Sequence, residues 1–160
     1  MMRQSVKHKL KVFALAVAIP LAVGGLASLL TGKGMEAYAA LIQPPLAPPG
    51  WLFPVVWTIL YILMGLSSGM IFLSRDDCRR DALNVYALQL FLNFGWTILF
   101  FGFGLRLAAF VWVVVLEAVI VVMIAMFFAI RPRAAYLQIP YFFWVAFAAY
   151  LNFAIWWLNR

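Results

Sequence analysis

Charge is scarce in this chain: 12 Lys and Arg with 5 Asp and Glu make up 11% of its 160 residues, while 68% are hydrophobic. A soluble globule of that size would lack the polar side chains needed to cover its surface, so much of the apolar excess must face lipid. Cysteine is nearly absent. A single residue, Cys78, excludes a disulfide scaffold. Histidine is equally sparse, with His8 alone in a basic N-terminal arm, so no group of imidazoles or thiolates exists to ligate zinc, iron or heme. The same shortage removes any Ser, His, Asp set, and neither a Walker loop, a GxGxxG nor an HExxH occurs. Hydrolytic, phosphotransfer and metal-dependent catalysis therefore have no residues to run on. Asp76, Asp77 and Asp81 sit among arginines in one short segment and read as a solvated charge cluster. The net charge of +7 does not point to nucleic acid, because most of the basic residues fall between apolar runs, a mark of membrane topology.

What the sequence has instead is apolar length. A hydrocarbon core of roughly 30 Å needs about 20 mostly apolar residues per helix. Such runs occur in succession at about 12–31, 51–74, 82–104, 107–130 and 136–158, predicting an all-α membrane protein, one five-helix transmembrane domain over 1–160. The breaks are chemically clear. Lys33 to Gly50 holds Pro44, Pro45, Pro48 and Pro49; Arg75 to Asp81 is densely charged; Arg106 and then Arg131, Pro132 and Arg133 separate the last three. A signal peptide ending near Ala37, Tyr38 and Ala39 is the weaker reading of the first run, since Val12 to Leu30 is too long and the triplet too far beyond it. Nine basic residues (Arg3, Lys7, Lys9, Lys11, Arg75, Arg79, Arg80, Arg131, Arg133) fall on one side and three (Lys33, Arg106, Arg160) on the other. In a bacterial membrane this places the N-terminus in the cytoplasm and the proline loop and C-terminus outside. No internal repeat is visible, and an odd number of spans disfavours a transporter built from inverted halves, although a homodimer would supply a second copy.

Aromatic residues make up 18% of the chain. Trp51, Trp156 and Trp157 lie near span ends, where an interfacial belt explains them. Trp57, Trp96 and Trp144 sit deeper, and helical spacing gives each of them neighbours. The second span carries Trp57, Tyr61, Met64 and Ser68 on one stripe, the third Gln89, Asn93, Trp96 and Phe100, the fifth Tyr141, Trp144, Ala148, Leu151 and Asn152. Polar groups in hydrocarbon cost free energy unless paired, so the stripes are expected to turn inward and meet. They would enclose either a flat-walled apolar site for a small molecule or a packed interior whose Asn and Gln bridge helices. Glu117, near the middle of the fourth span, costs roughly 2.5–3.5 kcal/mol on insertion, which its apolar neighbours offset. It is expected to be protonated or hydrogen-bonded to an inward Asn, Gln or Tyr as a bridge between helices, with ligand contact the second reading and proton transfer the weakest, because no other acid or His lies within a span. Ala14, Ala18 and Ala22 and the pair Gly65 and Gly69 are expected to mark close helix contacts, within or between protomers. Pro20 and Pro140 are expected to distort their helices.

Four ordered stretches carry a resemblance: Pro48-Pro49-Gly50-Trp51 leading to Trp57-Thr58-Ile59-Leu60-Tyr61 and Met64-Gly65; Gln89-Leu90 with Leu92-Asn93-Phe94-Gly95-Trp96; Phe100-Phe101-Gly102; and Pro140-Tyr141-Phe142-Phe143-Trp144 through Ala148 to Leu151-Asn152. In that order they resemble the translocator protein family, also called tryptophan-rich sensory proteins or peripheral-type benzodiazepine receptors. The resemblance runs from about Tyr38 to Asn159. It implies a five-helix bundle, usually dimeric, holding a tetrapyrrole such as protoporphyrin, a sterol or a synthetic flat ligand, with no required cofactor. Carried over by position, the pocket would comprise Trp57, Tyr61, Asn93, Trp96, Phe100, Trp144, Ala148 and Leu151, beside the Tyr141 and Asn152 that spacing adds. Pro48, Pro49 and Trp51 would form the lid. The family's Trp before the Pro-Pro pair is Leu46 here, its earlier aromatic is Ala37, and its acidic residue early in the fourth helix aligns with Trp112. After Tyr150 the next base is Arg160, too distant for the sterol-recognition pattern. The expected function is a membrane receptor or sensor for porphyrin-type ligands, with tetrapyrrole or lipid transport as the alternative and porphyrin degradation through indole radicals as a third.

Overall fold

The computed structural model describes residues 6–160. The order is α1 (Val6–Thr31), α2 (Gly34–Ala39), α3 (Leu52–Phe72), α4 (Arg79–Thr97) continuing into a π-helical turn (Ile98–Gly102), α5 (Arg106–Ile130), α6 (Pro132–Tyr136) and α7 (Ile139–Leu158). Five helical segments are long and apolar enough to cross a membrane, counting α4 with its π turn and α6 with α7 as one each. The expected spans are all present with shifted ends. α1 is described from Val6 onward and carries Lys7, Lys9 and Lys11, while Arg3 lies outside the described residues. The fifth span starts with α6, where Pro132 at the N-terminus needs no backbone donor.

Pro140 corrects an expectation. It occupies the first turn of α7, where a fixed φ and a missing N–H suit helix initiation, so it opens the helix without kinking it. Pro20 does lie inside α1 and is buried. α1 ends at Gly32, whose φ of 41° is left-handed, and Gly104 at φ 65° turns the chain from the π turn into α5.

The spans form a closed ring. α1 packs along α3 and more loosely on α4, α5 lies between α4 and α7, and α6 touches α3 to complete the circuit. The α1–α3 contact is made through glycine. A Cβ on Gly65 would stand 2.4 Å from the Val17 Cα and 2.6 Å from the Ala16 carbonyl oxygen, and one on Gly69 would meet Phe13. The glycine pair therefore joins helices within one protomer. The alanine stripe does not: Ala14, Ala18 and Ala22 are exposed, and α1 uses Phe13, Ala16, Val17 and Gly24 instead.

Rings fill the middle of the bundle. Phe53 on α3 meets Trp144 on α7 at 6.0 Å between centroids, and Trp57 meets Tyr141 at 6.2 Å. Trp51, exposed at one rim, and Trp157, under the Arg160 guanidinium at 3.4 Å, sit where an interfacial belt would.

Gly65→Val is expected to lower stability by about 1–3 kcal/mol, because backbone faces the new side chain. Gly25, with open space around its Cβ position, serves as control: Gly25→Ala should not lower the unfolding temperature in detergent and should raise it slightly, because Ala favours a helix interior over Gly. Equal melting of both variants would show that α1 does not approach α3 this closely.

Candidate functional site

Four helices and one turn build a cavity of about 370 Å³ near the proline-loop end. α3 supplies Phe53, Trp57 and Tyr61; α4 and its π turn supply Trp96 and Phe101; α1 supplies Leu21, Gly24, Ser28 and Thr31; Met35 comes from α2. Each position has a local reason. Phe53, Trp57 and Tyr61 follow one another at four residues along one helical stripe. The π turn inserts an extra residue per turn, so Phe100 packs back on Trp96 at 6.1 Å while Phe101 swings to the α1 side. α2 then seats on that turn, since a Cβ on Gly34 would lie 2.6 Å from the Phe101 carbonyl oxygen.

The indoles and phenol are arranged as a wall. Trp57 stands 5.5 Å from Tyr61 and 5.8 Å from Trp96, with interplanar angles of 31° and 38°. Such tilted neighbours present one broad aromatic surface. Gly24 makes room for it: a Cβ there would collide with the Tyr61 ring. Gly25, Ser28, Pro54 and Thr58, also on the lining, are exposed on the outer faces of α1 and α3, so the cavity opens sideways between these helices.

Behind the wall lies a hydrogen-bonded chain. Tyr61 donates to Asn93 Oδ1 at 2.9 Å, Asn93 Nδ2 donates to the Tyr141 hydroxyl at 3.2 Å, and Tyr141 donates to Gln89 Oε1 at 2.8 Å. Alongside, Trp96 Nε1 donates to Asn152 Oδ1 at 3.2 Å, and Asn152 Nδ2 returns to the Ala148 carbonyl at 2.8 Å. Gln89, Asn93 and Tyr141 are wholly buried. In an apolar medium these bonds give six side chains with polar groups at least one partner each.

The ten residues expected to surround one hollow thus divide. Trp57, Tyr61 and Trp96 line the cavity. Asn93, Tyr141 and Asn152 form the chain behind it. Phe100, Ala148 and Leu151 are packed in the core, and Trp144 meets Phe53 edge-on and Phe147 at a tilt, with its Nε1 buried and without a partner among the described residues. The hollow accordingly borders the first span in place of the fifth. The pair Gly24-Gly25 interrupting an apolar helix was the sequence signal for that; Met35 and Phe101 carried none.

The lid residues also divide. Trp51 and Pro49 are exposed, and the loop reaches the cavity indirectly, with Gly50 against Met35. Leu46 holds a left-handed φ of 70°, unusual for a residue with a Cβ. Anchors from α7 hold the loop: Tyr150 donates to the Pro45 carbonyl at 2.8 Å, and Asn159 bonds both the Ile42 N–H (2.9 Å) and the Ile42 carbonyl (3.0 Å). Neither anchor was visible in helical spacing. Below the loop Tyr38 is buried, and desolvation pushes its phenol above the ordinary value, so it remains a neutral donor. Of the two arms expected for Glu117, the hydrogen bond to an inward Asn, Gln or Tyr is not made: both carboxyl oxygens are buried and neither has a partner among the described residues, which leaves the protonated carboxyl.

Five helices long and apolar enough to cross a membrane, closed into a ring with an aromatic-walled cavity on one side of a buried polar spine, define a five-span membrane protein. The chain belongs to the TspO/MBR family, whose model matches residues 16–158. It is 40% identical over 151 residues to the tryptophan-rich protein TspO of Chlorobaculum tepidum, covering 91% of this chain and 94% of that one. To the translocator protein of Sus scrofa it is 38% identical over 128 residues (78% and 76%), and to the tryptophan-rich sensory protein of Cereibacter sphaeroides 35% over 127 residues (79% of each).

Asn93→Leu removes the partner of two buried hydroxyls at once, whereas Tyr61→Phe removes a single bond. Interhelical bonds in membranes average about 0.6 kcal/mol with a maximum near 1.7. Tyr61→Phe should therefore cost about that average and Asn93→Leu distinctly more, measured by unfolding in mixed micelles. Equal small losses would mean that the chain carries no stability.

Proposed function

We propose that the protein is a membrane receptor or sensor that binds a porphyrin-type tetrapyrrole or a similar flat hydrophobic molecule in the cavity between α1, α3 and α4. The observation that carries this reading is the continuous surface of Trp57, Tyr61 and Trp96 on one side of a 370 Å³ space whose other walls combine Phe53 and Phe101 with small, aliphatic and hydroxyl side chains. A planar conjugated ring gains most from such a surface, through offset stacking in a site shielded from water. Recognition would need no metal–protein bond, so free porphyrin should compete as well as its metal complex. The side opening past Gly25, Ser28, Pro54 and Thr58 lets a ring larger than the cavity project toward the bilayer.

That opening is also the observation that favours a second reading, the transfer of tetrapyrroles or lipids. A ligand exchanging sideways with the bilayer needs no aqueous path, and relatives bear the name translocator protein. Ligand transfer between liposomes that depends on the protein would distinguish transport from sensing. In both readings the protein sits in a bacterial membrane as a homodimer, with the arginine-rich end cytoplasmic by the excess of Lys and Arg there.

Trp57→Leu removes ring contacts worth about 0.5–1.5 kcal/mol and should weaken protoporphyrin binding about 2- to 12-fold. The porphyrin's own fluorescence in nanodiscs provides the readout. Trp144→Leu, a change outside the cavity wall, should leave the affinity as in the unaltered protein. Loss of binding in Trp144→Leu alone would place the ligand elsewhere.

A further inference from the structure

Every wall of the cavity is uncharged. Its lining includes Ser, Thr, Tyr and Trp but no Lys, Arg, His, Asp or Glu. Most of the polar protons there are already committed: Thr31 donates to the Ala27 carbonyl at 3.0 Å, Thr58 to the Pro54 carbonyl at 2.7 Å, Thr97 to the Asn93 carbonyl at 3.2 Å, Tyr61 to Asn93 Oδ1 and Trp96 to Asn152 Oδ1. Of the lining side chains only Ser28 and Trp57 keep a donor without a partner among the described residues. Such a space accepts an apolar ring and rejects an ionised group, because two neutral donors do not replace the hydration a carboxylate loses on burial.

A cation stands at the edge of that space. Three basic residues lie at the proline-loop end, Lys33, Arg106 and Arg160. Arg106 donates to the Asn159 carbonyl at 3.3 Å and the Arg160 guanidinium lies over the Trp157 ring at 3.4 Å, so both are held against the end of α7. Lys33 is exposed, and its ammonium makes no hydrogen bond or ion pair among the described residues, with Glu36 on the next turn included. Chain connectivity keeps it close to the cavity. Thr31, two residues before, and Met35, two residues after, both border the space, and Gly34 is seated on the Phe101 carbonyl. Two residues of chain span at most about 7 Å, a distance comparable with the reach of the four-carbon lysine stem. Thr31 in turn lies one helical turn beyond Ser28, which with Pro54 marks the side opening between α1 and α3. Lys33 therefore belongs to the corner where that opening meets the proline-loop rim, the end at which Trp51 is exposed.

We infer that Lys33 receives the acidic edge of a ligand whose ring lies on the Trp57, Tyr61 and Trp96 wall, so that the site selects flat hydrophobic molecules bearing a carboxylate on one side over neutral or cationic molecules of the same shape. The inference rests on the cavity being the ligand site. The two ends of such a molecule require opposite surroundings, and the corner supplies both: hydrocarbon-like walls for the ring, and water with one ammonium for the acid. A bilayer holds an amphiphile of this kind with its ring among acyl chains and its carboxylate at headgroup level, so a molecule entering sideways between α1 and α3 arrives in the bound orientation. The ammonium and carboxylate both stay hydrated at the rim, which makes their attraction modest and sensitive to salt.

Protoporphyrin and its dimethyl ester share one ring and differ in charge. Both are titrated against the full-length protein in phosphatidylcholine nanodiscs, with the porphyrin's fluorescence as readout. The ratio of diacid to ester affinity should fall about 2- to 5-fold in Lys33→Gln, the size expected of an exposed ion pair, and be kept in Lys33→Arg. Added salt should lower the ratio in the unaltered protein and leave it level in Lys33→Gln. A ratio that Lys33→Gln does not change, as when a lipid phosphate holds the lysine instead, overturns the inference, and so does an equal loss for diacid and ester. Because the Lys33 side chain is exposed and bonds to nothing among the described residues, Lys33→Gln should unfold at the same temperature as the unaltered protein. If neither porphyrin binds the unaltered protein, the ligand reading fails and takes this one with it; if the ester binds and the ratio stays level in Lys33→Gln, the cavity remains the site and only the role of Lys33 is lost.

Discussion

Within hydrocarbon a polar group has no water to fall back on, and the centre of this bundle is organised around that constraint. Asn93 is where the constraint is met. Its amide receives from α3 and donates to α7, so one side chain on α4 ties three helices whose backbones are separated by layers of rings. Remove the amide and two phenols would have to find other partners inside a core that is mostly aliphatic and aromatic.

The cavity exists beside that tie because the two faces of the α3 aromatic stripe do different things. The Tyr61 hydroxyl is turned inward to Asn93, while its ring, with Trp57, is turned toward α1. On that side α1 offers Gly24 and Gly25 where larger side chains would have filled the space, although further along the same helix Gly65 and Gly69 of α3 let the backbones close to contact. Small residues thus do two opposite jobs on one interface: where both helices carry bulk nearby they permit contact, and where one helix carries rings they leave room. The π turn at Ile98–Gly102 completes the arrangement by sending Phe100 into the core and Phe101 to the cavity.

Much of this was legible beforehand. Span number, the separating loops and the inward stripes on α3, α4 and α7 follow from hydropathy and from the 3.6-residue period, which are local quantities. The site was only half legible. Spacing selects the residues that share a helix face, and it correctly drew Trp57, Tyr61, Trp96, Asn93 and Tyr141 to the interior. It could not say which of them would border open space and which would be consumed in bonding one another. Nor could it separate Ala14, Ala18 and Ala22, which face outward, from Ala16 and Val17, which make the contact, because an apolar helix with little amphipathic contrast does not declare its buried side.

The amino-acid sequence by itself settled that this chain crosses a membrane five times, carries no metal-ligating cluster of His and Cys, and belongs among tryptophan-rich proteins, since those properties depend on residue type and short-range order. The tertiary structure decided that the hollow lies against the first span, that the fifth closes a hydrogen-bonded spine, and that Asn159 and Tyr150 pin the proline loop. The physical reason is that a cavity is what remains after distant segments have packed: its place depends on volumes contributed by several helices at once, and no window along a single one contains that sum.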